Sequence, residues 1–322
     1  MRGRGIGSYI ARRLLLLLPL LVLVTIAVFL LTSLVPGGPV AALIGGHATD
    51  TATVNAIKVK YHLNDPLYRQ YLYWLRDALH GDFGSSIFAS QAVTTAIRSR
   101  LGVSVALNLA GIVLALLVGI PMGLFAAVKR GSALDRIVVG TNVFWSSAPH
   151  FVLAIAGLYF FGMELHLFPL FGLGSGGLGD EAYHLVLPAL VMALGPLGFI
   201  TKITRAAVLD QLRTDHVAFA RARGIAYRRV MLAHVLRNAL IPILTACGLL
   251  LVGLLTGTVF VESVFGIPGL GGLLVTSIQN SDLPVIQALV LLIAAWIILA
   301  NLLVDLLYAF VDPRVRFGRV VR

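Results

Sequence analysis

Five arginines (Arg221, Arg223, Arg228, Arg229 and Arg237) fall within Ala220–Pro242, around the single glycine Gly224 and with no acidic residue among them. Guanidinium groups stay charged at neutral pH and present forked donors to carboxylates, phosphates or carbonyls. The chemistry on offer is recognition, not bond making. The groups that carry covalent or metal chemistry are missing. There is no G-x-x-x-x-G-K-[ST] phosphate loop, H-E-x-x-H, G-x-S-x-G or Cys/His cluster. Cys247 stands alone in an apolar run; it forms no internal disulfide and reads as a small core residue. His166 and His184 are isolated and read as structural.

The elements that position these arginines are apolar. Of 322 residues, 58% are hydrophobic and 12% charged, about half the charge of a soluble domain, so too little polar surface exists to coat a globule. The chain reads as an all-α integral membrane protein. Stretches of about 20 apolar residues cross a bilayer, and six are expected: 14–35, 101–128, 137–161, 185–201, 239–261 and 283–310. The fourth is interrupted by Pro188 and Pro196. The first is too long for a cleaved signal and is expected to be retained.

Charge orients these spans. Of the 25 Lys+Arg, 19 fall in residues 1–13, the turn at 129–136, the loop 202–238 and the tail 311–322, whereas 162–184 and 262–282 hold none. By the positive-inside bias both termini and the arginine-rich loop are cytoplasmic. The net charge of +11 is then a topological signal, and no nucleic-acid partner is implied. No acidic or basic residue lies in the cores of the first five spans, and the sixth holds only Asp305. This argues against an ion-coupled carrier, because such sites are built from intramembrane charge.

Two polar segments remain. Residues 36–100 form the only sizeable extracytoplasmic piece, opened by "PGGP". Within it 64–82 reads as a helix capped by Asp65, with Pro66 in the first turn, Gly81 at the stop, and Leu67, Tyr71, Trp74, Leu75 and Ala78 on one face. It fits either a cap on the bundle or a partner's docking surface. On the cytoplasmic side, Leu209, Leu212, His216 and Phe219 follow helical spacing. Thr214 or Asp215 fits the cap of a helix ending at Arg223, Gly224 permits a reversal, and Tyr227–Arg237 reads as a second short helix. Helix, glycine, amphipathic helix fits a partner's groove or an anionic lipid surface equally well.

"AFARARGIAYRRVMLAHVLRNALIP" (218–242) resembles the coupling loop, or EAA loop, of ABC importer permeases, and more closely that of the oligopeptide/dipeptide permease family. Ala218, Ala220 and Gly224 match the pattern. Its naming glutamate is absent, Ala218 standing there, and Phe219 replaces an alanine, departures common in the peptide branch. "LNDPLYRQYLYWLRDALHGDFGSSI" (63–87), "ESVFGIPGLGGLL" (262–274), "NSDLPVIQA" (280–288) and "DPRVR" (312–316) extend the resemblance along the chain in order; the first is similar to the permease with the larger outer segment.

The resemblance implies a permease core over 101–322. Its ATPase-coupling residues are Ala218, Ala220, Gly224, Tyr227, Arg228, Arg229, Met231 and His234. It implies no cofactor on this chain, with ATP and Mg held by partners. Those partners are a second, similar permease forming a heterodimer, two ABC ATPases and an extracytoplasmic binding protein. The setting is the bacterial cytoplasmic membrane with its lipid, and the cargo is a di- or oligopeptide. Nickel, opines and glycosides are the alternatives within the family; a secondary carrier or a scaffold that transports nothing is the alternative outside it. The glycine- and proline-rich 262–282 cannot form a straight helix and is expected to re-enter near the outer mouth. Glu262, Phe265, Gly266, Pro268 and Gly269 are its gate candidates, Glu262 serving as a structural hydrogen-bonding group, or else gating the path or binding a peptide amine.

Overall fold

Backbone groups that lipid cannot satisfy must pair within their own segment, and in the computed structural model they do so as helices. It describes residues 6–31, 40, 51–60, 62–253 and 258–311. Among these the only extended pairing is an isolated antiparallel bridge between Ser85 and Ala92. The end of the first expected span, the PGGP turn and the DPRVR tail lie outside the described residues.

The helices are α1 (Ile6–Leu30), α2 (Thr51–Lys60), α3 (Leu67–Leu79), α4 (Val93–Val128), α5 (Ala133–Ser147) and α6 (His150–Gly157, continued as a π-helix over Leu158–Glu164). They are followed by α7 (Leu178–Leu212), α8 (Asp215–Ala222), α9 (Tyr227–Val252), α10 (Val259–Val264), α11 (Leu270–Gln279) and α12 (Leu283–Val311). Among the described residues four helices are long and apolar enough to cross a membrane: α4, α7, α9 and α12 over Leu283–Leu306. A fifth candidate is the pair α5 and α6, bent by 102°. The third expected span, 137–161, is therefore not one straight helix. It breaks at Ala148–Pro149, where proline drives the preceding residue out of helical angles (Ala148 ψ 131°). In contrast, α7 runs 35 residues straight through Pro188 and Pro196.

The chain divides into two compact units: Met1–Tyr9, Val105–Ile267 and Ala300–Arg322; and Ile10–Ser104 with Pro268–Leu299. In the second unit polar side chains tie elements distant in sequence. Thr25 of α1 lies 2.8 Å from the Tyr71 hydroxyl of α3, and Phe29 meets the Tyr71 ring edge-on at 5.6 Å. Gln287 of α12 donates to the Val28 carbonyl at 3.0 Å, and the Leu270 N–H donates to Ser104 Oγ at 2.7 Å. The buried Asp282 carboxylate, ahead of α12, accepts from the Ser86 hydroxyl and from the Ile87 and Phe88 amides at 3.2 and 3.4 Å.

Two expectations for the outer helix shift. Pro66, not Asp65, is the N-cap. Leu67 is exposed while Gln70 is buried, because the Gln70 amide turns inward to donate to the carbonyls of Asp65 at 2.7 Å and Leu63 at 3.3 Å.

The first unit is built on close helix crossings. A Cβ on Gly123 of α4 would stand 2.6 Å from the Thr201 carbonyl and 2.7 Å from Thr204 Cβ, both on α7. A Cβ on Gly198 of α7 would meet Ser146 of α5. Glycine lets these backbones approach without a driving force from water.

Candidate functional site

The arginine-rich segment is a continuation of two long helices. After α7 ends at Leu212 the chain turns through Arg213 and Thr214. Thr214 is the N-cap of α8, yet its hydroxyl donates back to the Gln211 carbonyl at 2.6 Å and makes no cap bond. Then α8 closes with a Schellman motif: the Gly224 N–H donates to Arg221 at 2.9 Å and the Ile225 N–H to Ala220 at 3.3 Å, with Gly224 at φ +74°. The reversal expected at Gly224 is there. The second short helix, Tyr227–Arg237, is not a separate element. It is the first part of α9, which runs unbroken from Tyr227 to Val252, with π-helical hydrogen bonding over Val230–Leu236. No glycine or proline interrupts 227–241, so nothing in the chain ends the helix there.

One side of this segment is apolar and buried. Val217 and Ala220 of α8 and Val230, Met231, Val235, Ala239 and Ile243 of α9 pack with Ala207 and Val208 of α7 and Ala127 of α4. Leu209, Leu212 and Ile225 close the edges. Each of the larger buried side chains of the segment, Val217, Val230, Met231 and Val235, contributes about 1.5–3 kcal/mol, so the segment is fixed to the helices behind it. Asn238 adds a polar link from α9 to α8, its amide lying 3.3 Å from His216 Nε2.

The other side is exposed. Phe219 (66% exposed), Tyr227 (53%) and Leu232 (61%) stand clear of the core. Arg221, Arg223, Arg228 and Arg229 are exposed around them, with the Arg223 guanidinium 5.9 Å from the Phe219 ring centre. Apolar anchors inside a cationic rim fit a protein partner and an anionic lipid surface alike. Of the expected coupling residues, Ala218, Gly224, Tyr227, Arg228 and Arg229 are exposed, His234 is half-buried, and Ala220 and Met231 belong to the buried face. Helical spacing set Phe219 in register with Leu209, Leu212 and His216. The break at Arg213–Thr214 rotates α8 so that Val217 and Ala220 are buried and Phe219 is not. Leu232 lies in the apolar run Val230–Ala233, and nothing in the sequence signalled its exposure.

The gate candidates lie around a second reversal. The last turn of α10 closes with a bond from the Ile267 N–H to the Glu262 carbonyl at 2.9 Å, and Gly266 takes φ +59°. Phe265 is buried and its carbonyl accepts from the Gly172 N–H at 2.9 Å. Glu262 is 0% exposed and meets no solvent in this conformation. Pro268 and Gly269 open the other unit, Gly269 as N-cap of α11. Among the described residues no group of His, Cys, Asp and Glu is arranged to hold a metal.

Residues 119–317 match the family model "Binding-protein-dependent transport system inner membrane component", and residues 6–108 match its N-terminal companion. The chain is similar to a "Probable peptide ABC transporter permease protein y4tP" of Sinorhizobium fredii, 36% identical over 97% of this chain and 100% of that one. It is similar to the "Glutathione transport system permease protein GsiC" of Escherichia coli K12, 37% identical over 96% and 99%. Among solved structures, a chain of the inward-facing MetNI methionine ABC transporter superposes with a TM-score of 0.51 at 18% identity, over 65% of this chain and 93% of that one. At that identity the likeness is one of fold.

Proposed function

The chain belongs to the family of binding-protein-dependent transport system inner membrane components, and on that premise we propose that it is one of two paired permeases of an ATP-driven peptide importer. It is a multi-pass inner-membrane protein and the non-catalytic component of its system. Peptides, glutathione-sized ones included, are the proposed cargo, supported by the likeness to y4tP, a probable peptide permease, and to GsiC, a glutathione permease. Six spans complete the path when α1 is the first and the bent α5–α6 pair the third, with both termini cytoplasmic.

The proposed mechanism uses no bond chemistry on this chain. A second permease completes the pore, a binding protein delivers cargo outside, and two ATPases carry ATP and Mg below. Closure of the ATPase pair pushes on Phe219, Tyr227, Leu232 and the arginines around them. The push reaches the membrane because α9 is one continuous helix from Tyr227 to Val252 and α8 is packed onto the ends of α4 and α7. That two-sided segment, buried behind and anchored by exposed aromatic and apolar side chains in front, carries the reading.

The test is uptake of labelled peptide by proteoliposomes holding this chain, its partner permease, the ATPases and the binding protein. Accumulation that requires ATP and survives a protonophore is expected. Uptake abolished by the protonophore with ATP maintained would reveal a secondary carrier instead.

A further inference from the structure

A bidentate ion pair in the first unit lies behind the coupling segment. Asp135, in the first turn of α5, accepts both prongs of the Arg205 guanidinium of α7: Nε donates to Oδ1 at 2.7 Å and an Nη to Oδ2 at 2.9 Å. The Asp135 side chain is 5% exposed. Its Oδ2 also accepts from the Gly131 N–H at 2.9 Å, and its own N–H donates to the capping Ser132 hydroxyl at 3.3 Å. The α4–α5 turn, the start of α5 and the coupling end of α7 are thereby held at one carboxylate.

A second contact repeats seven residues further along each helix. Gly198 of α7 lies against Ser146 and the Asn142 carbonyl of α5. The intervals 135 to 142 and 205 to 198 are equal and opposite, so the two helices run antiparallel and are pinned at two points about two turns apart. A bidentate ion pair fixes direction as well as distance. Arg205 is seven residues from the end of α7 at Leu212, beyond which the coupling segment begins, and α5 ends at the 102° bend into α6.

We propose that Asp135 and Arg205 are positioning residues that lock α5 to α7, so that force entering the coupling segment moves the bent third span together with the fourth. The pair touches no cargo; it acts by keeping two helices in one rigid body. The inference rests on the importer reading above.

Two measurements on the assembled, reconstituted transporter test it. In Asp135→Asn the amide oxygen still accepts from Gly131, but the charged fork is lost. Complex yield and ATP hydrolysis are expected to stay near wild type, while peptide moved per ATP falls at least tenfold. Arg205→Lys, which keeps charge and loses the fork, is expected in between. An unchanged peptide-per-ATP ratio in Asp135→Asn, whatever the yield, would overturn the proposal by leaving the pair a purely structural role. The second measurement leaves the pair intact. A short bis-maleimide joins Arg136→Cys to Ala206→Cys in a Cys247→Ala background. Full uptake after cross-linking is expected, because the helices need not part; abolished uptake would overturn the lock even if the Asn variant failed to assemble. Wild-type liposomes run in parallel separate the two failures: if they show no ATP-driven uptake, the importer reading falls, not merely the lock.

Discussion

Gly224 holds φ +74° with open space where a Cβ would stand, so what it supplies is backbone freedom. A β-branched side chain at that angle costs about 1–2 kcal/mol, enough to disfavour the α8–α9 reversal roughly tenfold. Gly224→Val is therefore expected to lower peptide uptake per ATP about tenfold at unchanged membrane abundance, read in the reconstituted transporter. Gly224→Asn is expected to stay near wild type, since asparagine tolerates left-handed angles. Wild-type coupling in Gly224→Val would remove the reversal from the mechanism. A different residue-scale test concerns the buried Asp282. Asp282→Ala would leave the buried Ser86 hydroxyl without its acceptor, at about 1–3 kcal/mol, and free two part-buried amides that water can partly satisfy. The detergent-solubilised chain should unfold at lower temperature, with Asp282→Asn losing less because its carbonyl still accepts. An unchanged unfolding temperature in Asp282→Ala would show that the loop at 86–88 is not held by that carboxylate.

At the scale of elements, the sequence made some features readable and hid others for physical reasons. Long apolar runs announce membrane helices because lipid offers no alternative backbone partner, and the glycine at 224 announced its turn because few other residues take that angle. Ala148–Pro149 was harder to read. Pro188 and Pro196 lie within a continuous α7, whereas Pro149 separates α5 from α6 at a 102° bend, and a proline's identity alone does not say which it will do. The continuity of α9 was hidden for the opposite reason: an amphipathic stretch beside an apolar one looks like two helices. Asp135–Arg205 and Ser86–Asp282, 70 and 196 residues apart in the chain, leave no mark on local spacing. The proposed coupling residues rest on resemblance, and which of them face outward was not readable at all, because that depends on the break at Arg213–Thr214.

At the scale of the whole molecule, the account makes a topological claim. Single cysteines at Arg228 and Lys129 should react with a membrane-impermeant maleimide only from the cytoplasmic side, and ones at Phe88 and Phe171 only from outside. Labelling of residue 228 from outside would invert the assignment and separate the coupling segment from any cytosolic ATPase. The central claim is that this exposed surface is gripped by such a subunit, and the most direct measurement is a photo-cross-linking amino acid placed at Phe219 or Leu232 in the assembled transporter. The account predicts a covalent adduct to the ATPase subunit, with yield changing between nucleotide-free and nucleotide-trapped states. Adducts to lipid alone in every state would contradict it.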